Sequence, residues 1–147
     1  MSTYKSKTWA AWIALLGGGL GLHRFYLYGP RDAWGWLWPL PTLVGAYGVH
    51  RVLKLGQDDQ LAWLLVPLLG LALASAMLAA IVYGLMPDEK WNARFNPQGK
   101  LHLSGWPVVF AVVLSLLIGA TVLMSTIAFS GQRYFEYQIE EGRKISQ

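Results

Sequence analysis

Residues 60–87 read QLAWLLVPLLGLALASAMLAAIVYGLMP and contain no Asp, Glu, Lys or Arg. As a helix rising ~1.5 Å per residue, this stretch reaches about 40 Å, more than the ~30 Å hydrocarbon core of a bilayer. Residues 103–132 are equally free of charge. A soluble chain of 147 residues builds one small core and cannot cover two such helices. Both are expected to cross a membrane, with length to spare for tilt or for emergence into the headgroups.

The composition agrees. Apolar residues make up 54% of the chain and charged residues 14%, with a mean hydropathy of +0.36. The charge is too sparse for a solvated shell and the aromatic content too high for disorder. There is no cysteine, which removes disulfides, thiol nucleophiles and Cys-based metal sites.

Two shorter charge-free runs, 8–23 and 33–50, precede the long ones. The first reaches spanning length only by including His23 to Leu27. The second holds Pro39 and Pro41, so a straight helix is not expected there. Tyr28-Gly29-Pro30-Arg31-Asp32 between them reads as a tight turn. The spacing predicts a short hairpin of spans over about 8–27 and 33–50, inside a unit covering 4–56. A cleaved signal peptide is the competing reading of the N-terminus. A second apolar run follows within a dozen residues, which favours an uncleaved span.

The expected architecture is therefore an all-helical, polytopic membrane protein with four spans: the hairpin, 60–87 and 103–131. An interfacial loop at 88–102 and a polar tail at 132–147 complete it. Four spans place both termini on one side, and cations divide seven to five in favour of cytoplasmic termini. The tryptophans cluster near the expected boundaries, where indole finds both an apolar body and a partner for its N–H. Pro87-Asp88-Glu89-Lys90 reads as the start of a short helix. The tail reads as a helical extension, although its alternation over 135–140 also fits a strand.

Helices in lipid associate through close-packed small residues. Ala72, Ala76, Ala80 and Gly84 form an i+4 stripe on the third span, and Ala111, Ser115 and Gly119 on the fourth. Ala10, Ala14 and Gly18 do so on the first, with Gly17 and Gly21 on an adjoining face. These stripes fit a compact bundle and a homo-oligomer equally.

Residues 18–26, GGLGLHRFY, are the most distinctive stretch. Glycines thin the helix just ahead of His23 and Arg24, an ionisable pair at or below headgroup level. Such a pair needs hydrogen bonds, aromatic faces or a route to the interface. Phe25, Tyr26 and Tyr28 offer faces, and an Arg fork also suits a lipid phosphate. A structural role, locking the turn through helix-end carbonyls, and a lipid- or ligand-binding role both fit.

This stretch resembles the TM-two domain family, small membrane proteins named for a pair of transmembrane helices. The family pattern is approximately Gly-x-x-Gly-x-(Asp or His)-Arg-Phe-Tyr after a Lys-rich start and an apolar helix. Lys5, Lys7, Gly18, Gly21, His23, Arg24, Phe25 and Tyr26 match it, and the resemblance covers about 4–56. It is similar to bacterial members with two further spans and a Pro-Asp-Glu-Lys-Trp stretch, here at 87–91. The resemblance implies residence in a bacterial inner membrane and no particular activity.

No catalytic set is legible. Asp58-Asp59, Asp88-Glu89 and Glu140-Glu141 are sequence neighbours that diverge on a helix. No serine sits in a nucleophile elbow, and no phosphate loop or dinucleotide fingerprint occurs. Four spans keep His50 away from His23 and His102, so no three-His metal site, and no cofactor, is expected. The cations flank the spans, which suits anionic headgroups and not nucleic acid. The expected role is non-enzymatic, through helix–helix or lipid contacts, with the bilayer, a second copy or another membrane protein as partner. A small transporter or channel subunit is the alternative, and a lipid-directed enzyme using His23, Arg24 and Asp88 a more distant one.

Overall fold

A computed structural model describes residues 4–146, and every regular element in it is helical. In chain order these are α1 (Lys7–Gly17), α2 (Leu22–Tyr28), α3 (Ala33–Leu37), α4 (Pro39–Leu55), α5 (Gln60–Leu85), α6 (Asp88–Phe95) and α7 (Trp106–Ile145). Among the described residues, α5 and α7 are the two helices long and apolar enough to cross a membrane by themselves.

α1 starts beside the C-terminal end of α5. Ser6 caps it through Trp9 N, and Lys7 Nζ donates to Met86 O at 2.8 Å and to Asp88 at 2.5 Å. Eleven residues later, after ~16 Å of helix, Gly18 reaches only the middle of α5. A Cβ at Gly18 would lie 2.7 Å from that of Ala76. There the helix tightens into a 3-10 turn over Gly18–Leu20, and Gly21 adopts φ +73°, a left-handed conformation that favours glycine. The chain reverses into α2, which runs back along α1. Leu27 packs on Ala10 and Trp91, and Ser6 N donates to Tyr26 Oη at 2.9 Å. α1 and α2 thus form a helical hairpin that begins and ends at one end of the bundle.

From that end, α3 and α4 descend together. Pro39 opens α4, at a position where its missing N–H costs the helix no hydrogen bond. Gly45 and Gly48 then let α4 lie directly on α5, where a Cβ at Gly48 would stand 2.5 Å from that of Leu65. α5 returns to the first end, α6 crosses beneath the hairpin, and α7 descends the full length. The α5–α7 seam repeats every seven residues with one small partner at each level: Gly70 on Thr126, Met77 on Gly119, Gly84 on Val112. This is the spacing of antiparallel knobs-into-holes packing.

Several expectations change. A first span over 8–27 is replaced by the hairpin, because the glycine run ends α1 half-way. The chain therefore traverses the bundle three times, through α3–α4, α5 and α7. Its N-terminal segment shares an end with Asp88, whereas Arg133 of α7 shares the opposite end with Gln57. Both termini on one side is not the arrangement of this fold. Gly17 and Gly21 are turn residues and not a packing stripe: a Cβ at Gly17 would meet Leu22 of the same hairpin. The second helix continues past residue 50 to Leu55, and α7 runs unbroken through the expected boundary at 131 to Ile145. That continuity excludes a strand in the tail. The α5 and α7 stripes are spent inside the bundle: Ala72, Ala76, Ala80, Gly84, Ala111 and Ser115 are buried.

Gly21→Ala is expected to destabilise through left-handed strain of about 1–2 kcal/mol and overpacking of about 1–3 kcal/mol. A Cβ there would lie 2.8 Å from Gly35 O. Gly29→Ala carries only the strain, since its φ is +86° with nothing within 4 Å. Thermal unfolding in detergent should rank Gly21→Ala well below Gly29→Ala; equal midpoints would contradict the hairpin geometry.

Candidate functional site

The distinctive stretch lies at the helical hairpin, and its side chains diverge to separate tasks. Gly18 and Gly21 make the reversal. Phe25 packs edge-on against Trp36, with ring centroids 5.2 Å apart, and covers Gly35. Tyr26 ties α2 to the N-terminal segment, with its carbonyl receiving Lys5 Nζ at 2.5 Å and Lys5 Nζ 5.0 Å from its ring centroid.

Arg24 locks the turn, but through a carboxylate and not through helix-end carbonyls. Its Nε donates to Asp32 Oδ2 at 2.6 Å and Nη2 to Oδ1 at 3.3 Å. Only Tyr28 of the three expected aromatics faces the guanidinium, at 5.1 Å. Asp32 also caps α3 by accepting from Gly35 N, so one carboxylate ends one helix–turn and begins the next. His23 takes no part in the lock. It is 1% exposed, between Trp38 and Tyr83 at centroid distances of 5.4 and 5.9 Å. His23 Nδ1 and Trp38 Nε1 are buried without hydrogen-bond partners among the described residues.

The lock occurs twice. Arg24, Gly29, Asp32 and Trp36 reappear 27 positions later as Arg51, Gly56, Asp59 and Trp63. Arg51 Nε and Nη2 donate to Asp59 at 2.6 and 2.9 Å. Gly56 has φ +91° and caps its helix through Val52 O, as Gly29 does through Phe25 O. Trp36 Nε1 donates to Pro30 O at 2.9 Å, and Trp63 Nε1 to Gln57 O at 2.7 Å. Hydrogen bonds from the two guanidiniums hold both carboxyls below the usual carboxylate range. The motif is Arg-x4-Gly-x2-Asp-x3-Trp, one copy at each end of the α3–α4 limb. Self-comparison at a fixed offset would have revealed it; a scan for charge-free runs passes over it.

A polar cap closes the hairpin end beneath α6, which begins after Pro87 as expected. Trp91 is fully buried and donates to Lys5 O at 2.9 Å. Asn96 accepts from Lys5 N, and Asn92 accepts from His102 N while donating to His102 O. His102 Nδ1 lies 2.9 Å from Tyr4 Oη, and burial pushes its pKa below the ordinary histidine value. Asp88 receives Lys7 and both groups of Ser104. Desolvation works against its ionised form, yet these donors prevail and bring its pKa down to about 2. Lys7, Asp88, Asn92 and Asn96 contribute to this one cap; the sequence marks Lys7 and Asp88 for separate reasons and the two asparagines not at all. His23 and His102 occupy different surroundings, and no three His, Asp or Glu converge on a metal-sized site among the described residues.

No protein-family model, curated protein or solved structure matches the chain.

Two outcomes test these contacts. Arg24→Asp and Asp32→Arg should each lower the unfolding midpoint, and the double exchange should recover part of the loss; additive loss would sink the lock. A depressed carboxylate contributes stability that is complete above its unfolded pKa near 3.8 and lost as pH falls toward about 2. Wild type should therefore lose stability between about pH 4 and 2 by more than Asp88→Asn, with parallel profiles as the contrary result.

Proposed function

We propose that this is an integral membrane protein of TM-two type that acts without catalysis, through helix–helix and lipid contacts. The observation that carries the membrane reading is exposure. Of the most apolar 18 residues of α5 only 28% are buried, and of α7 only 22%. Leu64, Leu78, Leu117 and Met124 stand at least 60% exposed, which water would penalise at ~25 cal/mol per Å² and lipid would not. α3–α4, α5 and α7 supply three crossings, and the hairpin a half-depth insertion. Non-helical backbone is tolerated at such depth only when its polar groups are satisfied within protein. Here Gly18 O accepts from Gly21 N, and Gly19 O accepts from Thr42 Oγ1 at 2.6 Å.

Orientation follows from charge. Lys5, Lys7, Arg24, Arg31, Lys90, Arg94 and Lys100 belong to the hairpin end; Arg51, Lys54, Arg133, Arg143 and Lys144 belong to the other. Counted by Lys and Arg, seven against five, the positive-inside rule supports that end as the cytoplasmic one, and the TM-two resemblance is what supports a bacterial inner membrane. The scaffold reading is supported by the tight glycine seams of α4 on α5 and of α5 on α7. The leucine-rich outer faces of α5 and α7 are what remains to meet lipid or another protein.

A photo-crosslinking residue at Leu78 or Leu117 in native membranes tests this role. Discrete protein or lipid adducts at one face are expected. Labelling uniform with bulk lipid, and only monomeric protein, would contradict it. One observation favours a transport role instead: His23 Nδ1 and Trp38 Nε1 stand unpartnered near the reversal. Liposome flux abolished by His23→Ala would promote that reading; the close packing at Gly18 and Gly21 predicts no flux.

A further inference from the structure

Where α7 leaves the bundle, Gln60, Trp63, Arg133, Tyr134 and Tyr137 line a cavity of about 320 Å³. It lies at the end opposite the hairpin, beside the second Arg–Asp turn. The Arg133 side chain is 8% exposed. Its Nη2 donates to Gln57 Oε1 at 3.0 Å and Nη1 to Gln57 O at 3.4 Å, while Nη1 also lies 2.7 Å from Glu136 Oε2. Nε is buried with no acceptor among the described residues. A guanidinium carries five N–H donors, so this fork is only partly used in the chain itself. Trp63 Nε1 is already committed to Gln57 O and offers the cavity its ring. Tyr134 and Tyr137 are exposed at the rim.

We infer that this cavity holds the headgroup of an amine-bearing phospholipid, with its phosphodiester at Arg133 and its ammonium on the Tyr134 and Tyr137 rings, Glu136 standing outside the cavity as the ion-pair partner of Arg133. The inference rests on the membrane placement proposed above. Three features select that chemistry. The cavity sits where the apolar run of α7 gives way to polar residues, at headgroup level, where Trp and Tyr concentrate. A guanidinium suits phosphate oxygens because its donors are fixed in a plane. Glu136 offsets the charge of Arg133, which disfavours a free phosphate dianion but suits a ligand carrying both signs. The rings of Tyr134 and Tyr137 add the faces on which ammonium groups rest.

The test is native mass spectrometry of the full chain, delipidated in detergent and titrated with phosphatidylethanolamine, phosphatidylglycerol, diacylglycerol and inorganic phosphate. One phosphatidylethanolamine is expected to be retained in preference to the others. Arg133→Gln should weaken it roughly tenfold or more, the worth of a charge-assisted hydrogen bond, with Arg133→Lys in between. Glu136→Gln should leave Arg133 in place and abolish the preference over phosphatidylglycerol. That variant keeps the inference testable should Arg133→Gln fail to fold. Equal retention of diacylglycerol, displacement by inorganic phosphate, or unchanged binding in Arg133→Gln or Glu136→Gln would each overturn the site. Failure of the membrane placement reads out separately, as a monodisperse protein without detergent.

Discussion

At Gly21 the backbone adopts φ +73°, with Gly35 O and the Trp38 side chain where a Cβ would stand. No other residue type meets both demands at once. Because α1 stops there, α2 must return along it, and the N-terminal segment comes to lie against α6. That return places Lys5 on Tyr26 and Asn96, Lys7 on Asp88, and Trp91 beneath Leu27. It also sends α3 and α4 down the bundle from the same end that α1 entered. The polar cap and the order of crossings are both consequences of one reversal.

The two Arg–Asp turns hold the limb that follows. Each turn ends a helix at a glycine with positive φ, starts the next at an aspartate, and fastens the two with a forked guanidinium. A tryptophan N–H then ties the new helix back to the turn. This arrangement pairs each arginine with a carboxylate through a two-point fork, a partner that an isolated cation at a membrane boundary would lack. It also changes the meaning of Arg24: a residue that suits lipid phosphate is occupied within the chain. Arg133, which lines a cavity and whose buried Nε has no acceptor among the described residues, is the better-placed guanidinium for an outside ligand.

Much of this was legible in the sequence, for reasons particular to each element. α5 and α7 were legible because their charge-free runs exceed a bilayer, and the break between α3 and α4 because Pro39 lacks an N–H. The hairpin was not. A run of apolar residues reports what a helix avoids, and a hairpin that turns back half-way along the bundle avoids charge as completely as a helix of full length. Gly18 to Gly21 carried the missing information, but glycines at that spacing also describe a helix–helix seam. Arg24 and His23 were found as residues, whereas their partners were not: Asp32 lies eight positions on, beyond any helical spacing rule, and Trp38 and Tyr83 come from other helices. The repeat at Arg51 was visible in principle and escaped because attention to charge gaps discards the charges themselves.

The account stands or falls on which face carries the N-terminus. Reporters within the loops cannot decide it, because a four-span chain and a hairpin with three crossings agree on the sides of residues 30, 56, 97 and 147 relative to one another. The chain has no cysteine, so a cysteine added ahead of residue 1, Gln98→Cys and Gln138→Cys can each be labelled alone in intact cells with a membrane-impermeant maleimide. The re-entrant hairpin predicts that the N-terminal cysteine and Gln98→Cys label from one face and Gln138→Cys from the other. An N-terminal cysteine that labels together with Gln138→Cys would contradict it.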